Sequence, residues 1–384
     1  MNKLGFNRLL IPLLSILMGL LVGAIVMLIG GYEPIQGFSS LFEGMLGSPY
    51  AIGETLRAAA PLIFSGLAVA FAFRTGLFNI GVEGQVLIGW VAAVYVGINY
   101  DLPMFIHLPL ALLAAMFAAA LWAFVPGFLK AKFHVHEVIT SIMMNYIALY
   151  TTNAILRSVI GVTNERTDSI KDSASLASPW LQELTTYSRL HWGVLIAVLA
   201  AIVYYYILQR TTLGYELRAV GFNKHASQYA GMSVNRNIIL SFVISGMFAG
   251  LAGAMEGLGT FSGMTLSASF TGVGFDGIAV ALLGANTAVG VVLAAILFAG
   301  LNIGGLAMQL GANIPSELVK VIIAAIVIFV ASGYAFNYVI DKFKGNRKKE
   351  WRKNELLRSP LYRRTGCFSL CDSTHHRCAW RNLQ

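Results

Sequence analysis

The densest polar chemistry in an otherwise apolar chain lies in FRTGLFNIGVEGQVLIGW, residues 73–90, where Gly76, Gly81, Gly84 and Gly89 surround Asn79, Glu83 and Gln85. Glycine at that density disfavours a regular helix and lets a neighbouring backbone come close. A carboxylate within a membrane span is costly and must face an aqueous path or a partner. If the segment were helical, Asn79 and Glu83 would be four apart and share a face. Two readings of Glu83 stand: a structural group pairing with a base such as Arg74 or sitting at headgroup level, or part of a broken helix lining a translocation path. His134, His136 and Glu137 invite comparison with a metal site. Residues two apart on a helix point to different sides, however, and His107, His191 and His225 lie in other loops. The dipeptide Gly-Lys does not occur, so there is no Walker A motif, and ATP-driven work would need another polypeptide.

The elements that must position these residues are membrane helices. Of 384 residues 57% are hydrophobic and 12% charged, and the mean hydropathy is +0.70, which excludes a soluble globular enzyme and a disordered chain. The net charge of +9 is concentrated at one end: residues 341–384 hold 12 Lys/Arg against 4 Asp/Glu, leaving 15 against 14 before them. A basic tail is not a nucleic-acid surface, and none is expected. Apolar stretches recur at about 9–29, 56–73, 80–98, 108–129, 137–156, 192–208, 237–258, 277–309 and 316–337. The first is too long for a cleavable leader and reads as a retained span. The stretch at 277–309 carries a polar LLGANTAVG turn and splits into two shorter helices. The expectation is an all-α polytopic bundle of about ten spans, eight if some are re-entrant. Lys3, Arg8, Arg74, Lys130, Lys132 and the bases of residues 209–236 mark alternate connections as cytoplasmic, while residues 31–55 hold Glu33, Glu43 and Glu54 without a base. This alternation closes with both termini inside.

Other segments have local readings. In residues 211–234, Asn223 can cap a short helix, Gly231 offers a left-handed stop, and Ala226, Tyr229 and Ala230 form one small apolar face. This is either an ordinary interfacial helix or a docking element. Gly246, Gly250, Gly253 and Gly257 repeat the small-residue spacing of close helix packing. Glu256 falls near the outer end of that span, where hydration would suffice. Residues 259–277 are rich in Gly, Ser and Thr, which reads as irregular backbone lining a cavity. Asp276 there either binds a hydroxyl of a solute or caps the next helix, and Lys320 snorkels outward. In the tail the basic run fits anionic inner-leaflet lipid. Cys367, Cys371, His375, His376 and Cys378 formally permit zinc, but a divergent or frame-shifted end without a role fits better.

Four ordered motifs, GLFNIGVEGQ, HEVITSIMMNYIALY, TTLGYELRAVGFNKHASQYAGMSV and GFDGIAVALLGANTAVG, resemble the permeases of ABC importers in the ribose and branched-chain amino-acid superfamily, and those for nucleosides most. The resemblance spans most of residues 9–340, with 341–384 departing from it as a basic cytoplasmic tail without a fold of its own. It implies a multi-pass permease of the bacterial plasma membrane that binds no cofactor or metal and has no catalytic residues. The implied partners are ABC ATPase subunits, a second homologous permease, an extracellular substrate-binding lipoprotein and the lipid bilayer. It implies a substrate path near Asn79, Glu83, Gln85, Asn145 and Asp276, and an ATPase-coupling helix around Gly221, Asn223, Ala226, Tyr229 and Gly231. The rival is an ion-coupled secondary transporter working alone, which calls for repeated halves with matched carboxylates, where the sequence offers one strong candidate in Glu83.

Overall fold

The computed structural model describes residues 2–162, 165–315 and 317–331; the basic tail, with its cysteines and the tail histidines, lies outside the described residues. Fourteen α-helices follow in order: α1 (Asn2–Ile29), α2 (Pro34–Leu46), α3 (Pro49–Arg74), α4 (Val82–Asn99), α5 (Met104–Phe133), α6 (Glu137–Ser158), α7 (Pro179–Leu184), α8 (Gly193–Arg210), α9 (Thr212–Phe222), α10 (Lys224–Tyr229), α11 (Val234–Met255), α12 (Val273–Leu283), α13 (Ala288–Ala312) and α14 (Glu317–Ala331). Among the described residues there is no strand, only two isolated bridges. Among the described residues six helices, α3, α4, α5, α8, α11 with its extension to Thr260, and α13, are long and apolar enough to cross a membrane. The apolar part of α1 and the 11-residue α12 are shorter.

Two groups of helices meet along α3 and α11. On one side α11 packs against α4 and α5; on the other α3 packs against α12 and α13, with α2 laid along α13. The glycine spacing read from the sequence makes the first contact possible. A methyl group on Gly250 would stand 2.3 Å from the Ala115 carbonyl oxygen, and one on Gly253 would stand 2.1 Å from that of Val86. In lipid, helices associate by such close packing rather than by a hydrophobic drive. Phe71, Tyr204 and Phe248 then tie α3, α8 and α11 together, with ring centroids 6.1–6.3 Å apart.

The split of the 277–309 stretch is observed. Ala285 and Asn286 adopt left-handed φ of 50° and 53° in the turn, and Thr287 caps α13 by accepting from the Gly290 amide at 3.2 Å. The Asn286 carbonyl takes bonds from Arg74 Nε and the Tyr204 hydroxyl, both at 2.9 Å. Two expectations need correction. Glu54 does not belong to an outer loop, because α3 begins at Pro49 behind the N-cap Ser48 and carries Glu54 inside the bundle. Glu256 is not hydrated; it is buried at the start of a π-helical turn, Glu256–Thr260, that ends α11.

Candidate functional site

The site starts from a helix that does not form. After Arg74 the chain leaves α3 through Gly76 in a left-handed conformation (φ 71°) and resumes helix only at Val82. Asn79 therefore lies outside α4, and the helical face it would have shared with Glu83 does not exist. Its side chain closes the break locally: Oδ1 accepts from the Gly81 amide at 3.0 Å, and Nδ2 donates to Gln85 Oε1 at 3.1 Å and to Ser245 Oγ at 2.9 Å. Ser245 in turn donates to the Ala68 carbonyl at 2.7 Å, joining α11 to α3. From α6, Asn145 straddles the same break, accepting from the Gly84 amide at 2.8 Å and donating to the Ile80 carbonyl at 3.0 Å. Buried backbone polar groups need partners, and here Asn79 of the break itself, Asn145 of α6 and Ser245 of α11 supply them, the last two about midway along their helices.

Glu83 is fully buried, and its partner is not Arg74, which is engaged with Asn286. Its Oε1 accepts from the Thr271 hydroxyl and the Gly272 amide, both at 2.8 Å, and its Oε2 from the Gly274 amide at 2.6 Å. These donors belong to the start of α12, whose N-cap is Gly272, left-handed at φ 87° and without a capping side chain of its own. Glu83 is thus the N-terminal anion of a helix 190 positions later in the chain. A helix N-terminus leaves orphan amides and a partial positive charge. A carboxylate across the interface satisfies both, through charge-assisted bonds worth roughly 1.5–3 kcal/mol each. The approach is close: a methyl group on Gly274 would stand 2.4 Å from the Glu83 amide nitrogen.

Asp276 is apart from this network. It lies in the first turn of α12, four residues after the N-cap, so it is not the capping residue. Half-buried, it is within electrostatic reach of Glu83 and, on the other side, of Asn302 of α13 and Lys320 of α14. Residues 261–272 are irregular, as the composition predicts. They descend along α6, where Asn153 bonds the Ser267 backbone in both directions at 2.8 and 3.2 Å. Thr271 and Phe275 leave this descending segment open on one side.

At the basic end, Thr211 caps α9 and Asn223 caps α10, accepting from the Ala226 amide at 3.0 Å. Gly231 is left-handed at φ 82°. Ala226 and Ala230 are exposed, Tyr229 is 95% exposed, and Phe222, which sequence reasoning passed over, is 91% exposed beside them. The inner end of this element presses on the break. A methyl group on Gly221 would stand 2.6 Å from the Thr75 carbonyl carbon, and one on Gly76 would stand 2.7 Å from the Gly221 Cα. The Thr75 hydroxyl also pairs with Ser241 of α11.

A second cluster, at the opposite end, went unread in the sequence. Buried Glu54 takes Arg57 Nε at 2.8 Å, the Arg189 amide at 2.8 Å and Arg189 Nη2 at 3.3 Å, while Arg57 reaches Thr260 of the π-turn at 3.3 Å. His191 packs on Gly259 of the same turn. Its Nδ1 accepts from the Gly193 amide at 3.0 Å. The proton therefore sits on Nε2, which has no partner among the described residues.

The fold is a polytopic helical bundle with a polar helix break at its centre and an exposed apolar face one glycine contact away. Residues 51–331 match the family described as branched-chain amino acid transport system, permease component, and the chain belongs to that family. It is a permease subunit of an ABC importer and a multi-pass protein of the plasma membrane. Permeases of this family work with an ATPase and a substrate-binding protein. The chain is 59% identical to the guanosine ABC transporter permease protein NupP of Bacillus subtilis (strain 168), over 88% of this chain and 97% of that one. It is 39% identical to the nucleoside ABC transporter permease protein NupB of Lactococcus lactis subsp. cremoris (strain MG1363), over 91% and 98%. It is also 36% identical to the glucose ABC transporter permease protein TsgB13 of Haloferax volcanii, over 85% and 87%.

Proposed function

We propose that this permease carries nucleosides, purine nucleosides foremost, and that it is driven by ATPase subunits docking on residues 211–231. The likeness to NupP over nearly the full length of both chains carries the reading of the substrate. The direct packing of Gly221 on Gly76 supports the coupling route. The basic face is cytoplasmic, both termini lie on it, and residues 341–384 form a basic cytoplasmic tail. An ATPase groove takes the exposed face of Phe222, Ala226, Tyr229 and Ala230. Displacement of α9 moves the Thr75–Gly76 corner, which carries the break and, through Glu83, the start of α12. A rigid element transmitting motion in this way needs no chemistry in the permease itself, and ATP hydrolysis stays with the partner chain.

The path runs between this chain and a second homologous permease, along residues 261–277. Asn79, Gln85, Asn145 and Glu83 hold its wall, and Asp276 with Asn302 meets the solute, since a carboxylate and an amide suit the hydroxyls of a ribose. An extracellular binding lipoprotein delivers that solute. The test is uptake of labelled guanosine in cells lacking their own nucleoside permeases, with the chain expressed beside its cognate ATPase, second permease and binding protein. ATP-dependent guanosine uptake is the expected result. Glucose uptake without guanosine uptake would overturn the substrate, and accumulation by vesicles holding this chain alone under an ion gradient would overturn the coupling.

A further inference from the structure

Away from the polar break, α5 and α11 leave between them an open groove of about 510 Å³, lined by Leu113, Met116, Phe117, Leu121, Phe124, Val243 and Met247. The lining is apolar throughout and open to the outside: Phe117 is 72% and Leu121 60% exposed. Both walls run towards the basic end, and each ends in a cation. On α5, Phe124 stacks on Phe128 with centroids 5.5 Å apart, and Lys132 Nζ lies 5.9 Å from the Phe128 ring centre. On α11, Arg236 precedes Val243 and Met247 by seven and eleven residues, two and three turns along one face. The helices are antiparallel, and Gly127 faces Phe242. Lys132 and Arg236 are therefore five and six residues beyond the same contact, at roughly the same level.

Lys130 is taken by Glu137 at 2.6 Å. Lys132 and Arg236 are both exposed and take part in no ion pair among the described residues. We infer that this groove is a binding site for one anionic phospholipid, with an acyl chain along Phe117, Leu121 and Met247 and the phosphate between Lys132 and Arg236. A polar or peptidic occupant would find no hydrogen-bond partner along the lining, while a hydrocarbon chain needs none. Paired cations at the mouth of such a groove select a headgroup of net negative charge over a zwitterionic one, whose own cation they repel.

The test uses the full chain, purified and placed in bilayer discs of equal phosphatidylglycerol and phosphatidylcholine, with retained lipid counted by native mass spectrometry after stripping. One phosphatidylglycerol per chain is expected to persist, at about tenfold over phosphatidylcholine. Lys132→Gln with Arg236→Gln, both on the surface, is expected to abolish the preference while leaving the protein monodisperse. Ala120→Phe, which fills the floor of the groove, is expected to lose the retained lipid of either kind. Lipid held by the basic tail would survive Ala120→Phe. Retention that survives both variants, or equal retention of the two lipids, overturns the site. So does a disulfide-linked dimer through Phe117→Cys in a chain whose three tail cysteines are Ser, because that would place protein in the groove.

Discussion

Glu83 and Glu54 are both buried carboxylates in a membrane bundle, and they are satisfied in opposite ways. Glu83 accepts from two backbone amides and a hydroxyl, and pairs with no cation among the described residues. Glu54 holds two arginines, one of them 57% exposed at the side chain, and a single amide. The first arrangement fixes where a helix begins and is independent of salt. The second ties a connection, residues 188–192, to α3 by charge, with water at its edge. A carboxylate bound to backbone sets where a helix begins, whereas one bound to side chains ties together two segments distant in the chain.

The largest effect that would sharpen this contrast is at Glu83. Glu83→Ala leaves the buried Gly274 amide without a partner and strips α12 of its N-terminal anion, a loss on the order of 2–4 kcal/mol. Abundance, melting temperature in detergent and uptake should fall together. Glu83→Gln should fare little better, because a carboxamide has one acceptor and would turn an amide donor towards another donor. If Glu83→Gln keeps full abundance and loses only uptake, the architectural role is wrong and the carboxylate serves the solute.

Glu54→Ala is expected to cost less, about 1–3 kcal/mol, since Arg57 keeps Thr260 and Arg189 can turn to solvent. Its signature is in salt. Wild-type melting temperature should decline with added sodium chloride and that of Glu54→Ala should not, while the loss caused by Glu83→Ala stays constant. A salt response that is the same in all three would erase the distinction between the two carboxylates.

How much of this was legible in the sequence follows from distance along the chain. The caps on α10 and the α12–α13 turn are written in adjacent Gly, Asn and Thr residues and appear as read, whereas the glycine-dense stretch 73–90 is broken only over residues 75–81, with Gly84 and Gly89 inside α4. Glu83 was legible as a carboxylate out of place, but its partners are 188–191 residues away, and the local choice, Arg74, was wrong. Glu54 and Arg189 are separated by 135 residues, so nothing local marks them as a pair. Helix α2 was missed because its 13 residues fall short of the length a span requires; Gly37, Leu41 and Met45 are buried while Ile35, Phe42 and Leu46 stay exposed.

His191 gives a smaller effect, read in pH. Burial, with help from Arg57 and against Glu54, pushes its imidazole down to about 4. In the unfolded chain it titrates near 6.5, so between these values the unfolded state binds the proton first. Stability is fully present above about pH 6.5 and is lost as pH falls towards 4. The melting temperature should drop between pH 7 and pH 5, and His191→Gln should flatten that drop. An unchanged acid slope in His191→Gln would assign it to another group of the Glu54–Arg57 cluster.

The smallest effect on stability is at Phe222 and Tyr229, and it is the most informative about function. Both side chains project almost wholly outward, so Phe222→Asp or Tyr229→Asp removes no packing and should leave abundance and melting temperature within about 0.5 kcal/mol of wild type. Coupled transport should nonetheless be lost, because a charge buried against an apolar groove of the ATPase pays desolvation with no partner. Gly221→Ala is the complement: its methyl group meets the Thr75–Gly76 backbone, so it should leave the ATPase bound and disturb what lies above. If Phe222→Asp retains ATPase binding and stimulated hydrolysis, the exposed face is not the dock. If Gly221→Ala transports normally, motion reaches Glu83 by a route other than the glycine contact at Gly76.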